Sequence, residues 1–145
     1  MQLGNVAFDL SQETNNPKLM VEAADWYQKA LKIKPDEINV RTDLGVTYQL
    51  REPPDYKAAL AEFDKSLAVD PKHAPTLYNK ARAFIGMKDF KSAEEIYAKF
   101  KEVAPQEELS TKLRAEIDNA KAGKAATTEP VKTAGQENFE KIPTH

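Results

Sequence analysis

The sequence predicts an all-α protein, an α-α superhelix of antiparallel helix pairs, and three observations predict it. From Leu19 to Val103 apolar residues return three or four positions apart, the spacing of one helix face, and nowhere do they alternate as in a strand. Pro35, Pro71 and Pro105 divide the chain at intervals of 36 and 34 residues. Counting back from these prolines, an alanine stands 12 residues upstream each time (Ala23, Ala59, Ala93) and an aromatic 8 upstream (Tyr27, Phe63, Tyr97). A period of this size means that one helix pair cannot cover its own apolar face and must stack on the next.

The elements follow in order. A first helix is read over residues 1–11. Asn16 is a cap and Pro17 a first-turn proline for a second helix over 17–34, which Pro35 ends. The third spans 37–51. Pro53 and Pro54 are read as opening the fourth, over 54–69, in "DYKAALAEFDKSLAVDP". There Ala59 is small so that two helices approach closely, Phe63 and Leu67 fill the space between repeats, and Pro71 stops the helix so that the next repeat begins. Helices over 74–87 and 89–103 form the next pair, closed by Pro105. In a last helix over 107–121, Leu109, Leu113, Ile117 and Ala120 share one face, the pattern of a helix that solvates a solenoid end. After Gly123 the composition turns polar, and residues 123–145 are expected to be a disordered tail in which Phe139 and Ile142 are the candidates for docking elsewhere.

Composition narrows the function. With 21 basic and 23 acidic residues among 145 and no basic stripe, the chain does not have the charge of a nucleic-acid binder. It has no cysteine, so disulfides, thiolate metal sites and cysteine nucleophiles are unavailable. His73, beside a helix junction, is read as solvated, and with only His145 besides it makes no metal site. Glu94 and Glu95, like Glu107 and Glu108, are helix neighbours that point apart, and Trp26 is read as packing or surface cover. No glycine-rich phosphate loop, nucleophile elbow or metal-binding helix motif occurs, so no catalytic residue, metal or cofactor is assigned. No apolar run approaches the roughly 20 residues that span a bilayer.

Together the repeat signals resemble the tetratricopeptide repeat in its bacterial type. The second repeat reads "DLGVTYQL", with Leu44, Gly45 and Tyr48 at the family's offsets, then Ala59, Phe63 and Pro71. The third has Ala81 for the glycine and Phe84 for the tyrosine, followed by Phe90, Ala93, Tyr97 and Pro105. The first ends in Ala23, Tyr27, Ala30 and Pro35. The opening aromatic of each repeat is missing, with Arg41 and Leu77 in its place. Two extra residues fall in "REPPD" and about seven around "SQETNNP". The resemblance implies repeats over 1–35 (its opening helix truncated and followed by a long turn), 36–71 and 72–105, with a capping helix over 106–122. Since Leu3 and Gly4 match the middle of an opening helix, the chain is expected to be a fragment of a longer protein, with a membrane-tethered parent and either the cytoplasm or the periplasm left open.

The resemblance also implies a function, a non-enzymatic scaffold that binds a protein or peptide in a concave groove lined by the first helix of each pair. The inward positions carried over are Asn5 and Asp9, then Asn39, Thr42, Asp43, Val46 and Gln49, then Tyr78, Asn79, Arg82 and Ile85. This lining is mostly polar and uncharged, and amides suit an extended peptide backbone. Arg82 either grips a carboxylate with Asn79, one turn away, or pairs with Asp43. Of the carboxylate clamp of chaperone-binding members only Asn5 is matched; Asp43, Pro75 and Asn79 stand where an asparagine, a lysine and an arginine are wanted, which disfavours chaperone tails. The alternative is self-association, a homodimer through solenoid ends or swapped helices.

Overall fold

A computed structural model describes residues 2–104 and 107–123; Pro105, Phe139, Ile142 and His145 lie outside the described residues. The helices are α1 (Gln2–Thr14), α2 (Pro17–Ile33), α3 (Ile38–Leu50), α4 (Tyr56–Val69), α5 (Ala74–Gly86), α6 (Phe90–Val103) and α7 (Glu107–Lys121). No strand occurs among the described residues, so the all-helical reading holds there.

Caps set the boundaries. Asn16 Oδ1 accepts from the Lys18 amide with Pro17 in the first turn of α2, Asp55 accepts from Ala58, and Asp89 from Ser92. Each carboxylate or amide satisfies a backbone donor that the first helical turn leaves open. The expectation for Pro53 and Pro54 is corrected by the second of these caps. Both prolines precede the helix, because Asp55 supplies the capping oxygen and Tyr56 begins the helical turns. The surplus around "SQETNNP" also lies elsewhere than expected: α1 runs on through Thr14, and the turn is Asn15 and Asn16 alone. Asn15 takes φ 51°, a left-handed conformation that asparagine tolerates better than most residues.

Each helix packs on its neighbours in sequence, and α3 also touches α5, and α5 touches α7. That second set of contacts lines up the first helices of successive pairs side by side, which is how a superhelix grows. Ala23, Ala59 and Ala93 are fully buried where the paired helices approach, and Tyr27 and Phe63 fill the space beside the first two. The third position departs from the rule. Tyr97 is half-buried, while Ile96 and Phe100 are the buried pair on α6. In place of an opening aromatic, Arg41 joins its neighbours by polar contacts, to Glu62 on α4 at 2.8 Å and to the carbonyl of Pro35 at 2.8 Å. Leu113 and Ile117 of α7 are fully buried, with Leu109 and Ala120 against the same cluster.

Candidate functional site

The residues expected along the inner face divide into three groups. Thr42 is fully buried at the seam between the second and third pairs, not free in a groove. Its Oγ1 donates to the carbonyl of Ile38 at 2.7 Å and lies 2.7 Å from Thr76 Oγ1. Thr76 Oγ1 in turn meets His73 Nδ1 at 2.6 Å, and His73 Nε2 meets exposed Asn39 Oδ1 at 3.0 Å. His73 is therefore a member of a polar chain that ties α3 to α5 rather than a solvated loop residue. Burial lowers its pKa, against the opposing pull of Asp70.

The second group is held inside its own repeat. Asn5 Oδ1 accepts from Tyr27 Oη at 2.8 Å, and Asn79 Nδ2 donates to the carbonyl of Pro75 at 2.9 Å. Asp9 is half-buried and Asp43 buried. These bonds occupy amide groups that the sequence alone offers to a ligand.

The third group meets at one place. Arg82, 7% exposed, donates from Nε to Glu116 Oε2 at 2.9 Å, and Glu116 is 3% exposed. This ion pair was not among the two roles expected for Arg82. Glu116 was not singled out at all, although adding the interval between Pro71 and Pro105, 34 residues, to Arg82 lands on it. The last helix thus contributes to the wall as a further first helix would. Tyr78 is fully buried, its ring edge-on to Phe100 with centroids 5.4 Å apart. Its hydroxyl, close enough to Glu116 to feel that charge, is pushed up to about 12, chiefly by burial. Burial likewise raises the Glu116 carboxyl above its ordinary value, outweighing the Arg82 guanidinium.

Beside this pair opens a cavity of about 330 Å³. Gln49, Arg82 and Glu116 belong to its polar lining and Leu50, Ile85 and Phe90 to its apolar one, and Lys88 and Gly123 line it as well. Gln49 Oε1 is buried without a hydrogen-bond partner, while the Tyr78 hydroxyl and the Glu116 carboxylate interact with each other. An unpaired buried acceptor costs about 1–3 kcal/mol. Among the described residues no cluster of three or more His, Asp or Glu could hold a metal ion. No described helix is long and apolar enough to cross a membrane.

A row of stacked helix pairs with a polar inner wall and an adjoining cavity defines a helical-repeat solenoid. Residues 50–117, just under half of the chain, match the family model described as tetratricopeptide repeat. The fold agrees with a solved structure, the first tetratricopeptide repeat domain of Spaghetti (RPAP3) bound to the HSP90 peptide SRMEEVD. The TM-score is 0.62 at 19% identity, over 83% of this chain and 97% of that one. No curated protein matches the chain.

Proposed function

We propose that this chain is a non-enzymatic protein-interaction scaffold whose inner face docks an extended segment of a protein or peptide partner. In this reading its repeats span 1–35, 36–71 and 72–105, with 106–122 as the cap that completes the wall. The observation that carries it is the cavity beside Arg82 and Glu116, whose lining joins these residues and Gln49 to the apolar Leu50, Ile85 and Phe90. A catalytic site would use such groups to move protons. Here the buried Glu116 carboxylate is engaged by a guanidinium, which suits it to shaping a surface.

The family neighbour bound to a peptide supports the general mode, since its domain has the same fold. Its particular ligand is not carried over, because this chain lacks the clamp residues apart from Asn5. Stacked helices hold such a wall in shape before the partner arrives, which keeps the ordering cost of docking low. A short segment would bind at around micromolar strength, about 8 kcal/mol.

The test is selection of random peptides displayed on phage against the whole chain, followed by titration of the selected peptides. Lys88→Glu with Gln49→Leu should weaken them tenfold or more, whereas Lys65→Glu, on exposed α4 surface, should leave them unchanged. Arg82 is no probe, because changing it strips the buried Glu116 of its countercharge and disturbs the fold. Peptides that bind both variants equally would place docking elsewhere and overturn the groove reading.

A further inference from the structure

The cavity of about 330 Å³ carries a more specific assignment, which rests on reading the inner face as a docking surface. Three helices end around it. Leu50 closes α3, Ile85 and Gly86 close α5, and Ala120 is next to last in α7; Tyr56 and Phe90, the first residues of α4 and α6, complete the apolar lining. A Cβ on Gly86 would fall 2.4 Å from Tyr56 Oη, so the bare glycine is what lets the tyrosine lie against the last turn of α5. The space falls within the range of ordinary ligand pockets, roughly 300–1,000 Å³. Such a lining suits a large apolar side chain, which gains by leaving water.

Charge indicates what stands beside that side chain. Arg82, in the lining, is held by Glu116, and Arg51, next to Leu50, is held by Asp55. Lys88 is exposed, lines the cavity and makes no ion pair among the described residues. Its neighbour Asp89 is occupied in capping α6, with its carboxylate on the amide and the hydroxyl of Ser92. The position is also an unfavourable one for a lysine. Lys88 takes φ 59° in the turn after α5, where its amide donates to the Ile85 carbonyl, and glycine is the residue that reaches this left-handed region without strain. A lysine there sets a free cation beside the cavity at some cost to the turn.

A single ammonium does not suit a terminal carboxylate, which is captured by several converging donors. It suits one acidic side chain. We infer that the cavity anchors a large apolar side chain of a partner polypeptide, and that Lys88 selects partners in which an acidic residue adjoins that anchor. Lys88 is then a specificity-determining residue and not a support of the fold.

The test titrates the whole chain at low ionic strength with three capped dipeptides, acetyl-Leu-Glu-amide, acetyl-Leu-Lys-amide and acetyl-Ala-Glu-amide, and follows the backbone amides of Gly86, Lys88 and Ala120 by NMR. The capped ends remove any terminal carboxylate. The Leu-Glu probe should bind about fivefold more tightly than the Leu-Lys probe and about tenfold more tightly than the Ala-Glu probe. Lys88→Glu should reverse the order of the two leucine probes. Lys88→Gly should abolish the difference between them while raising the melting temperature by about 2–4 °C, because glycine relieves the turn. A lysine with a structural role alone would leave the preference unchanged in that variant. Equal affinity of the two leucine probes for the natural chain, a preference that survives Lys88→Gly, or amides that no probe moves would each overturn the assignment. Phage-selected peptides that depend on the Lys88→Glu/Gln49→Leu pair yet carry no acidic residue beside an apolar one would overturn this assignment alone and leave the docking reading intact.

Discussion

A single hydrogen decides two of the helix contacts. A Cβ on Gly45 would fall 2.4 Å from Phe63 Cε1, and one on Gly4 would fall 2.7 Å from Tyr27 Cε1, so in both pairs the aromatic edge fills the space the glycine leaves. The third pair has Ala81, whose methyl already takes that space. Its counterpart Tyr97 is only half-buried, covered by the Arg114 guanidinium 5.3 Å from the ring centroid. Gly45→Ala therefore sets a helix-propensity gain of about 1 kcal/mol against an overpacking cost of about 1–3 kcal/mol. Phe63 is fully buried and cannot swing aside, so the cost wins. The expected result is a net loss of about 1 kcal/mol and a melting temperature lower by about 2–4 °C, partly recovered by adding Phe63→Leu. An unchanged or higher melting temperature would show that the ring relocates freely.

At the level of elements, α7 is fastened to α6 by charge at its edge and by apolar packing beneath. Arg114 donates to both oxygens of Glu94, at 2.6 and 2.8 Å, and to Asp118, and Lys121 reaches Glu94 at 2.5 Å. The Arg114 hydrogen bonds, followed by that of Lys121, hold the Glu94 carboxyl down at about 2 against an ordinary value of 4.5. A depressed carboxyl stabilises the fold fully above its unfolded value, and this contribution is lost as the pH falls from about 4.5 towards 2. Glu116 acts in the opposite sense. Its pKa is raised, so the cost of burying its charge is relieved as the solution is acidified through that raised value. Since the Glu94 side chain is 34% exposed, solvent reduces its contribution to a few tenths of a kcal/mol and at most about 1. Urea unfolding of the natural chain and Glu94→Gln should differ by that amount at pH 6 and coincide near pH 2.5. A difference that persists at pH 2.5 would mean that the side chain acts through packing instead of charge.

Across the whole molecule the hydrophobic core is split. One cluster joins α1 to α4 and includes Ala83 of α5; the other joins α5 to α7 with Leu67 of α4 packed against it. Between them runs the polar chain of Asn39, His73, Thr76 and Thr42. Neighbour-to-neighbour stability of this kind lets the halves open separately, because apolar burial contributes more than hydrogen bonds exchanged with water. Phe8→Ala, at a residue 1% exposed in the first cluster, should cost about 3–5 kcal/mol there. Amide hydrogen exchange should then accelerate strongly in α1 to α4 and only weakly in α6 and α7. Equal acceleration throughout would show a single cooperative unit.

Much of this was legible in the sequence, because it concerns periodicity. The proline spacing, the small and aromatic positions and the apolar faces account for the seven helices among the described residues and their stacking, since each follows from what one helix must bury against the next. What resisted was the choice among partners for polar side chains. Thr42, Arg82 and His73 each have several donors or acceptors within reach of an extended reading, and the outcome depends on which groups the packing brings to within 3 Å. The run of α1 through Thr14 was decided in the same way, by tertiary contacts that keep Ser11 buried where the residues themselves suit a turn. The cavity beside Glu116 exists only because α7 sits as one more inner helix, a placement set by the burial of Leu113 and Ile117 that no local pattern specifies.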